Sequence, residues 1–200
     1  MKLTHSLVLA VAAVCVAPLA EASDLAASKS AIGRSLDAQY SRIEALYKDI
    51  HQHPELGFQE VRTAAKLAGE LRALGFEVTE GVGKTGIVGI LRNGPGPVVM
   101  VRTELDGLPM EEKSGLPYAS KFKASSDGRE SFTAHSCGHD IHMTSWLGAA
   151  TLLAQARKGW QGTLVFIGQP AEELVLGAER MVKDGLMTRF PKPDYVLGLH

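Results

Sequence analysis

The chain has 200 residues, 45% of them hydrophobic, and a formal net charge of −1 at pH 7. This length and apolar content suit one globular domain with a proper core. The nearly balanced charge, with no block of lysines and arginines, gives no indication of binding to nucleic acid or to an anionic membrane surface.

Residues 1–22 have the pattern of a signal peptide. Lys2 gives a positive start, residues 7–16 form an apolar run too short to span a bilayer, and Ala20-Glu21-Ala22 is an A-x-A cleavage site. We expect cleavage after Ala22, export to the periplasm or the medium, and no membrane attachment afterwards. The alternative is that this segment is not cleaved and anchors the protein in the membrane. The mature chain would keep a single cysteine, Cys137, which burial or metal ligation could hold reduced.

Hydrophobic periodicity predicts helices alternating with short strands along the rest of the chain. The predicted helices cover residues 31–50, 60–74, 139–156 and 174–183, and the predicted strands cover 76–79, 86–91, 98–103, 163–167 and 195–199. The polar stretch 124–131 is predicted to be a surface loop. The buried face of the second helix is expected to carry Val61, Ala64, Ala65, Ala68 and Leu71. This alternation predicts an α/β sandwich with a mostly parallel central sheet.

Polar residues follow three of the predicted strands. Glu104 and Asp106 come after one strand, residues 169–173 after the next, and His200 after the last. In open α/β sheets, binding sites lie beyond the carboxyl ends of the strands, so we expect these residues to lie near one another.

Cys137 and His139 are two residues apart, and in an extended segment both side chains would project to one side and bind one ion. Thiolate and imidazole suit zinc, and imidazole also accepts manganese, cobalt or nickel. A buried structural cysteine beside a helix-capping histidine is the alternative.

The adjacent Glu172 and Glu173 are expected to face different ways. One could then ligate a metal while the other takes a proton from water, which is what metal-assisted hydrolysis requires. An acidic first turn of a helix is the alternative. Glu104 and Asp106 could orient a ligating histidine or lie in a solvated loop, and His200 could be structural.

Together these stretches resemble a known family, the metal-dependent amidohydrolases of the hippurate hydrolase, aminoacylase and auxin-conjugate hydrolase type, within the carboxypeptidase-like dinuclear metallopeptidases. The matching stretches are His53-Pro54-Glu55-Leu56-Gly57, Glu104-Leu105-Asp106-Gly107-Leu108-Pro109, His135-Ser136-Cys137-Gly138-His139-Asp140-Ile141-His142, Gln169-Pro170-Ala171-Glu172-Glu173 with Gly177-Ala178, and Gly198-Leu199-His200.

The resemblance implies a three-layer, zinc-exopeptidase-like fold that binds two divalent metal ions, zinc or manganese, with cobalt or nickel as further options. It assigns the catalytic roles to Glu172, as general base, and to Asp106, and it places His142 and Glu104 around the site. The implied metal ligands are Cys137, His139, Glu173 and His200. The family usually has aspartate at the position of Glu104 and alanine at that of Ser136.

The family's chain continues beyond this point into a lid or dimerisation domain and then returns with a further metal-binding histidine. The resemblance therefore implies that residues 23–200 form the N-terminal part of a catalytic domain, and that the full-length protein is a homodimer acting on small N-acyl amino acids. Three alternatives stay open. They are a cysteine hydrolase using Cys137 and His139, a non-catalytic metal- or ligand-binding module, and a dipeptidase or other exopeptidase of the same superfamily.

Overall fold

The computed structural model describes residues 21–126 and 128–199. Residues 1–20 of the predicted signal peptide, and the predicted ligand His200, lie outside the described residues. The helices are α1 (Glu21–Gln52), α2 (Val61–Ala73), α3 (His139–Gln155) and α4 (Gly177–Lys183). The strands are β1 (Glu77–Val82), β2 (Gly86–Asn93), β3 (Val98–Glu104), β4 (Lys123–Ser126), β5 (Arg129–Phe132), β6 (Gly162–Gln169) and β7 (Tyr195–Gly198). Within the described ranges, no helix is both long and apolar enough to cross a membrane.

The central sheet has five strands in the order β1-β2-β6-β3-β7. Strands β6, β3 and β7 pair in parallel, whereas β2 is antiparallel to both of its neighbours, β1 and β6. Strand β2 therefore runs against the other four, and the mostly parallel sheet predicted from the sequence is confirmed. The exception follows from the short connection between β1 and β2, because such a link can join only antiparallel strands.

Helices cover both faces of this sheet, which gives the predicted three layers. Helices α1, α2 and α3 pack on one face and α4 packs on the other. Alternate residues of the central strand β6 enter the two cores, with Leu164 and Phe166 on one side and Val165 and Ile167 on the other. Because the strand is buried on both faces, its sequence is a nearly continuous apolar run.

The two N-terminal helices differ in part from the prediction. Helix α1 begins earlier than expected, and its apolar residues Ile32 and Leu36 are exposed while only its C-terminal half enters the core. On α2, the predicted residues Val61 and Ala65 are exposed. The buried stripe consists of Thr63, Ala64, Leu67, Ala68 and Leu71. Ala64, Leu67, Ala68 and Leu71 follow the i, i+3, i+4, i+7 spacing of one helical face more closely than the predicted set does.

Two further segments correct the prediction. The stretch 124–131 is mostly a hairpin of β4 and β5, not a loop, and Lys123 and Glu130 form an ion pair of 2.6 Å across it. Helix α4 begins at Gly177 rather than at residue 174, because the preceding residues form a turn in which Val175 has a φ of 56°. That turn carries the two adjacent glutamates.

Candidate metal centre

The carboxyl ends of β3 and β6 lie side by side, as expected from the sequence. Glu104 at the end of β3 is the register partner of Gln169 at the end of β6. Asp106 follows two residues later, and both carboxylates are fully buried. The chain segments that follow these two strands therefore approach each other at one edge of the sheet.

His139 is the first residue of α3 and is almost completely buried. Its Nδ1 lies 2.8 Å from the backbone oxygen of Asp106 and 3.5 Å from Asp106 Oδ1. These contacts orient the ring so that Nε2 is 3.5 Å from Glu172 Oε2 and 3.9 Å from Glu173 Oε1. Burial opposes protonation of His139, but the contacts with Asp106 outweigh it and raise the pKa of the ring.

Both adjacent glutamates approach the same histidine nitrogen, which contradicts the expectation that they face different ways. The reason is that Glu172 and Glu173 lie in a turn and not in a strand. Ala171, which precedes them, has a φ of 47°, in the left-handed region. The N–H of Glu173 donates to Asp106 Oδ2 at 2.9 Å, so Asp106 contacts both His139 and the turn.

Cys137 is exposed and lies in a turn, so the expected extended segment is also wrong. Gly138, between the cysteine and His139, has a φ of 81° and directly precedes α3. The neighbouring Glu173 carboxylate, with burial adding to its effect, raises the pKa of Cys137 to about 11. The carboxylate of Glu173 therefore disfavours the thiolate form of Cys137.

A second group lies beside the first, around Glu104. His142 is one helical turn after His139, and its Nδ1 is 3.2 Å from Glu104 Oε2. Arg102 donates to Glu104 Oε1 at 2.6 Å and to Gln169 Oε1 at 2.8 Å. The structure therefore brings both predicted surrounding residues, Glu104 and His142, next to His139.

Two sets of side chains are compact enough to hold a metal ion. Within each set, one ligand atom per residue lies within 4.8 Å of the others, and the sets are Glu104, His139 and His142, and His139, Glu172 and Glu173. Oδ1 of Asp106 and Oε1 of Glu173 are buried and have no hydrogen-bond partner among the described residues. Buried polar atoms are normally satisfied, and imidazole with carboxylates is a donor set for divalent cations, so these residues fit a bound metal.

Several residues of the site escaped the sequence interpretation. Arg102 pairs with Glu104, Glu60 accepts a hydrogen bond from Ala171, and His51 pairs with Asp140 beside His139. Arg102 could have been found from its place in a strand, two residues before Glu104. No local sequence signal could have found Glu60 or His51, because their partners are distant in the chain.

A comparison with known protein families shows to which family the chain belongs. Residues 100–200, just over half of the chain, match the model of peptidase family M20/M25/M40. The chain belongs to this family. The matched range includes most of β3, the start of α3 and the turn with the two glutamates, so the resemblance stated from the motifs is confirmed.

Within the M20 family, individual relatives match over most of this chain. The hippurate hydrolase of Campylobacter jejuni is 42% identical over 166 residues, which cover 82% of this chain and 40% of that protein. The N-acetylcysteine deacetylase of Bacillus subtilis is 40% identical over 165 residues, with the same shares covered. This chain thus spans about 40% of the length of these M20 relatives.

A solved M20 structure also matches. The YxeP protein of Bacillus subtilis, described as a dinuclear metal-binding peptidase of the M20 family, superimposes with a TM-score of 0.72 at 36% identity. The match covers 82% of this chain and 43% of that protein. The three-layer α/β fold is therefore shared with solved M20 structures.

Proposed function

We propose that the full-length M20 protein hydrolyses amide bonds of N-acyl amino acids, with Glu172 as the general base. The observation that carries the proposal is the contact of His139 Nε2 with two carboxylates, 3.5 Å from Glu172 Oε2 and 3.9 Å from Glu173 Oε1. A hydrolase needs both ligands for a cation and a carboxylate that can accept a proton from water. Relatives named hippurate hydrolase and N-acetylcysteine deacetylase support the class of substrate.

The contacts of the two glutamates suit them to different roles, Glu173 as a metal ligand and Glu172 as the general base. The backbone N–H of Glu173 donates to Asp106, and its carboxylate lies 3.9 Å from His139 Nε2, so it is placed among ligand-type groups. Glu172 and Glu173 are about equally exposed, at 21% and 19%, but Glu172 lies nearer to His139 Nε2, and the backbone bond to Asp106 is made by Glu173. Glu172 takes a proton from the attacking water and later gives it to the departing amide nitrogen.

The residues proposed to hold two divalent ions are Cys137, His139, Glu173 and His200. Bound divalent metal lowers the pKa of water and polarises the carbonyl to be attacked. Asp106 orients His139 through Nδ1, as residues behind metal-ligating histidines commonly do. Zinc and manganese are the ions proposed, because thiolate favours the former and carboxylates accept the latter.

Two of the alternatives are less well supported by the contacts of the described residues. A cysteine hydrolase needs a thiolate next to a base, but the pKa of Cys137 is raised to about 11 and its neighbour is a carboxylate. A non-catalytic binding module needs only the metal ligands, whereas this site also places the Glu172 carboxylate beside the proposed ligand His139. Export and dimer formation remain part of the proposal for the full-length protein.

The deciding experiment uses the full-length protein, stripped with a chelator and resupplied with zinc, manganese, cobalt or nickel one at a time. Hippurate, N-acetyl amino acids and dipeptides are offered as substrates. We expect activity to disappear on stripping, to return with one of the ions, and to favour N-acyl amino acids. Activity that survives chelation but is abolished by alkylation of Cys137 would contradict the metal mechanism, and cleavage of dipeptides alone would establish the exopeptidase.

A further inference from the structure

Glu60 is a fully buried glutamate that directly precedes α2, and among the described residues its carboxylate bonds Thr85 and Ala171 and not the carboxylates of the proposed mechanism. We propose that Glu60 is a positioning residue that holds the turn carrying Glu172 and Glu173 in the geometry that metal binding and proton transfer require. This inference rests on the proposed function, since that turn matters for hydrolysis only if its glutamates take part in it.

The Glu60 carboxylate joins two segments that are distant in the chain. Its Oε1 accepts the backbone N–H of Ala171 at 2.7 Å, and its Oε2 accepts the Thr85 hydroxyl at 2.5 Å. Ala171 directly precedes Glu172, whereas Thr85 lies in the connection between β1 and β2. Glu60 therefore joins the start of the glutamate turn to the connection between β1 and β2.

Each segment that meets at Glu60 contains a residue in a strained backbone conformation. Among the described residues, Phe58, Lys84, Ala171 and Val175 are the non-glycine positions with positive φ, at 63°, 101°, 47° and 56°. Phe58 lies two residues before Glu60, Lys84 directly precedes Thr85, and Ala171 is itself bonded to Glu60. Such conformations persist only where the surroundings hold them, and they concentrate at functional sites.

The two ends of the glutamate turn lie close together. A Cβ on Gly177, at the far end of the turn, would lie 1.5 Å from the Pro170 backbone oxygen. The backbone of the turn is thus folded tightly on itself. Loss of the bond from the Ala171 N–H would leave a buried donor without an acceptor, and the strained Ala171 would be free to relax.

Keeping the Glu60 carboxyl group buried costs desolvation free energy. Burial raises the pKa of Glu60, against the opposing effect of its bonds to Thr85 and Ala171. An apolar side chain could fill the space without this desolvation cost, but it could not accept the Ala171 N–H. The presence of a carboxyl group here is therefore explained by its hydrogen bond to the Ala171 N–H and not by a contribution to the packing of the core.

The test compares Glu60→Ala and Glu60→Gln in the full-length protein, with kcat, KM and the Mn²⁺ dissociation constant as readouts. In Glu60→Ala we expect kcat to fall and Mn²⁺ binding to weaken, each by about 10- to 100-fold, with little change in KM. Glu60→Gln should restore both, since its amide oxygen can accept the Ala171 N–H and its amide N–H can donate to Thr85.

Glu55→Ala is the matched control. The Glu55 carboxylate also accepts two backbone N–H groups at the start of α2, from Arg62 at 3.0 Å and Thr63 at 2.7 Å, and within the described part of the chain these bonds do not involve the glutamate turn. We expect Glu55→Ala to lower Tm and to leave kcat and Mn²⁺ affinity unchanged. If Glu60→Ala behaves like Glu55→Ala, the positioning role is overturned.

Two further measurements cover the cases in which Glu60→Ala does not fold or the wild-type protein shows no activity. Should Glu60→Ala fail to fold, Glu60→Leu fills the space with an apolar side chain that cannot accept the Ala171 N–H, and unchanged kcat and Mn²⁺ affinity in that variant overturn the role. A wild-type protein that binds Mn²⁺ but hydrolyses none of the substrates contradicts the proposed function instead. In that case the ratio of Mn²⁺ affinities between wild type and the Glu60 variants still decides whether Glu60 positions the turn.

Discussion

Two clusters of histidine and carboxylate lie on either side of the first turn of α3, and they differ in how completely their polar atoms are paired. In the first cluster, His139 faces Asp106, Glu172 and Glu173, and its Nε2 is 3.5 and 3.9 Å from the two glutamates. In the second, His51 lies between Asp140, at 2.6 Å from Nδ1, and Glu112, at 3.1 Å from Nε2. His139 and Asp140 are neighbours in the chain, so the helix directs them to different sides.

We infer from this difference that the His139 cluster binds a ligand and that the His51 cluster stabilises the fold. Both nitrogens of His51 are occupied by carboxylates, whereas Asp106 Oδ1 and Glu173 Oε1 in the first cluster have no hydrogen-bond partner among the described residues. Buried polar atoms are rarely left unsatisfied, which supports the proposal that a cation binds at the His139 cluster. Changes there should affect chemistry and metal binding, and changes at His51 should affect folding.

The largest effect is expected from Glu172→Gln in the full-length protein. The amide keeps the shape of the side chain but cannot accept the proton from water, so kcat should fall at least about 100-fold. Metal content should stay that of the wild type, because Glu172 is not one of the proposed ligands. Glu111→Gln, at an exposed position, is the control. Full activity of Glu172→Gln would remove Glu172 from the mechanism.

Asp106→Asn should weaken metal binding by about 10- to 100-fold. The Asp106 carboxylate accepts the Glu173 N–H and lies 3.5 Å from His139 Nδ1, and an amide can satisfy only one of these contacts as an acceptor. Calorimetric titration of the stripped full-length protein with Mn²⁺ measures the loss. An unchanged affinity would show that Asp106 does not orient the ligands.

His51→Ala should lower the free energy of unfolding by about 2 kcal/mol, because it leaves Asp140 and Glu112 without their shared partner. Chemical denaturation measures this loss. The Mn²⁺ affinity should not change, in contrast to Asp106→Asn. If His51→Ala also weakened metal binding, the two clusters would be coupled through α3 and the separation drawn here would be wrong.

Much of the fold could be predicted from local sequence patterns. Strand β6 and the end of β3 were placed almost correctly, because strands buried on both faces have continuous apolar sequences that end abruptly at polar residues. The position of the site followed, since Glu104 and Gln169 had to meet if their strands were parallel neighbours. The hairpin of β4 and β5 was missed because polar strands on a surface lack the apolar signal.

The contacts within the site could not be predicted, for two physical reasons. The left-handed conformations of Ala171 and Gly138 turn the chain at the two motifs, so spacing rules for extended segments gave the wrong directions for Glu172, Glu173 and Cys137. The other reason is distance along the chain. Glu60 and Ala171 are 111 residues apart, and His51 and Asp140 are 89 apart.

The smallest expected effect is on how stability depends on pH, and it comes from His51. Burial opposes protonation of this ring, but the hydrogen bonds to Asp140 and Glu112 outweigh it and raise the pKa of His51 above 6.5. The folded state therefore binds the proton more tightly than the unfolded state. The stabilisation is fully present below pH 6.5 and is lost as the pH rises through the folded-state pKa.

Thermal unfolding of the wild type and of His51→Gln over a range of pH measures this contribution. The difference in Tm between the two proteins should be largest at or below about pH 6.5 and should shrink as the pH rises. Glutamine is the better replacement here, because it retains hydrogen-bonding capacity without a titrating proton. A difference that grows towards alkaline pH would mean that His51 is neutral between its two carboxylates, and the cluster would then stabilise the fold by hydrogen bonding alone.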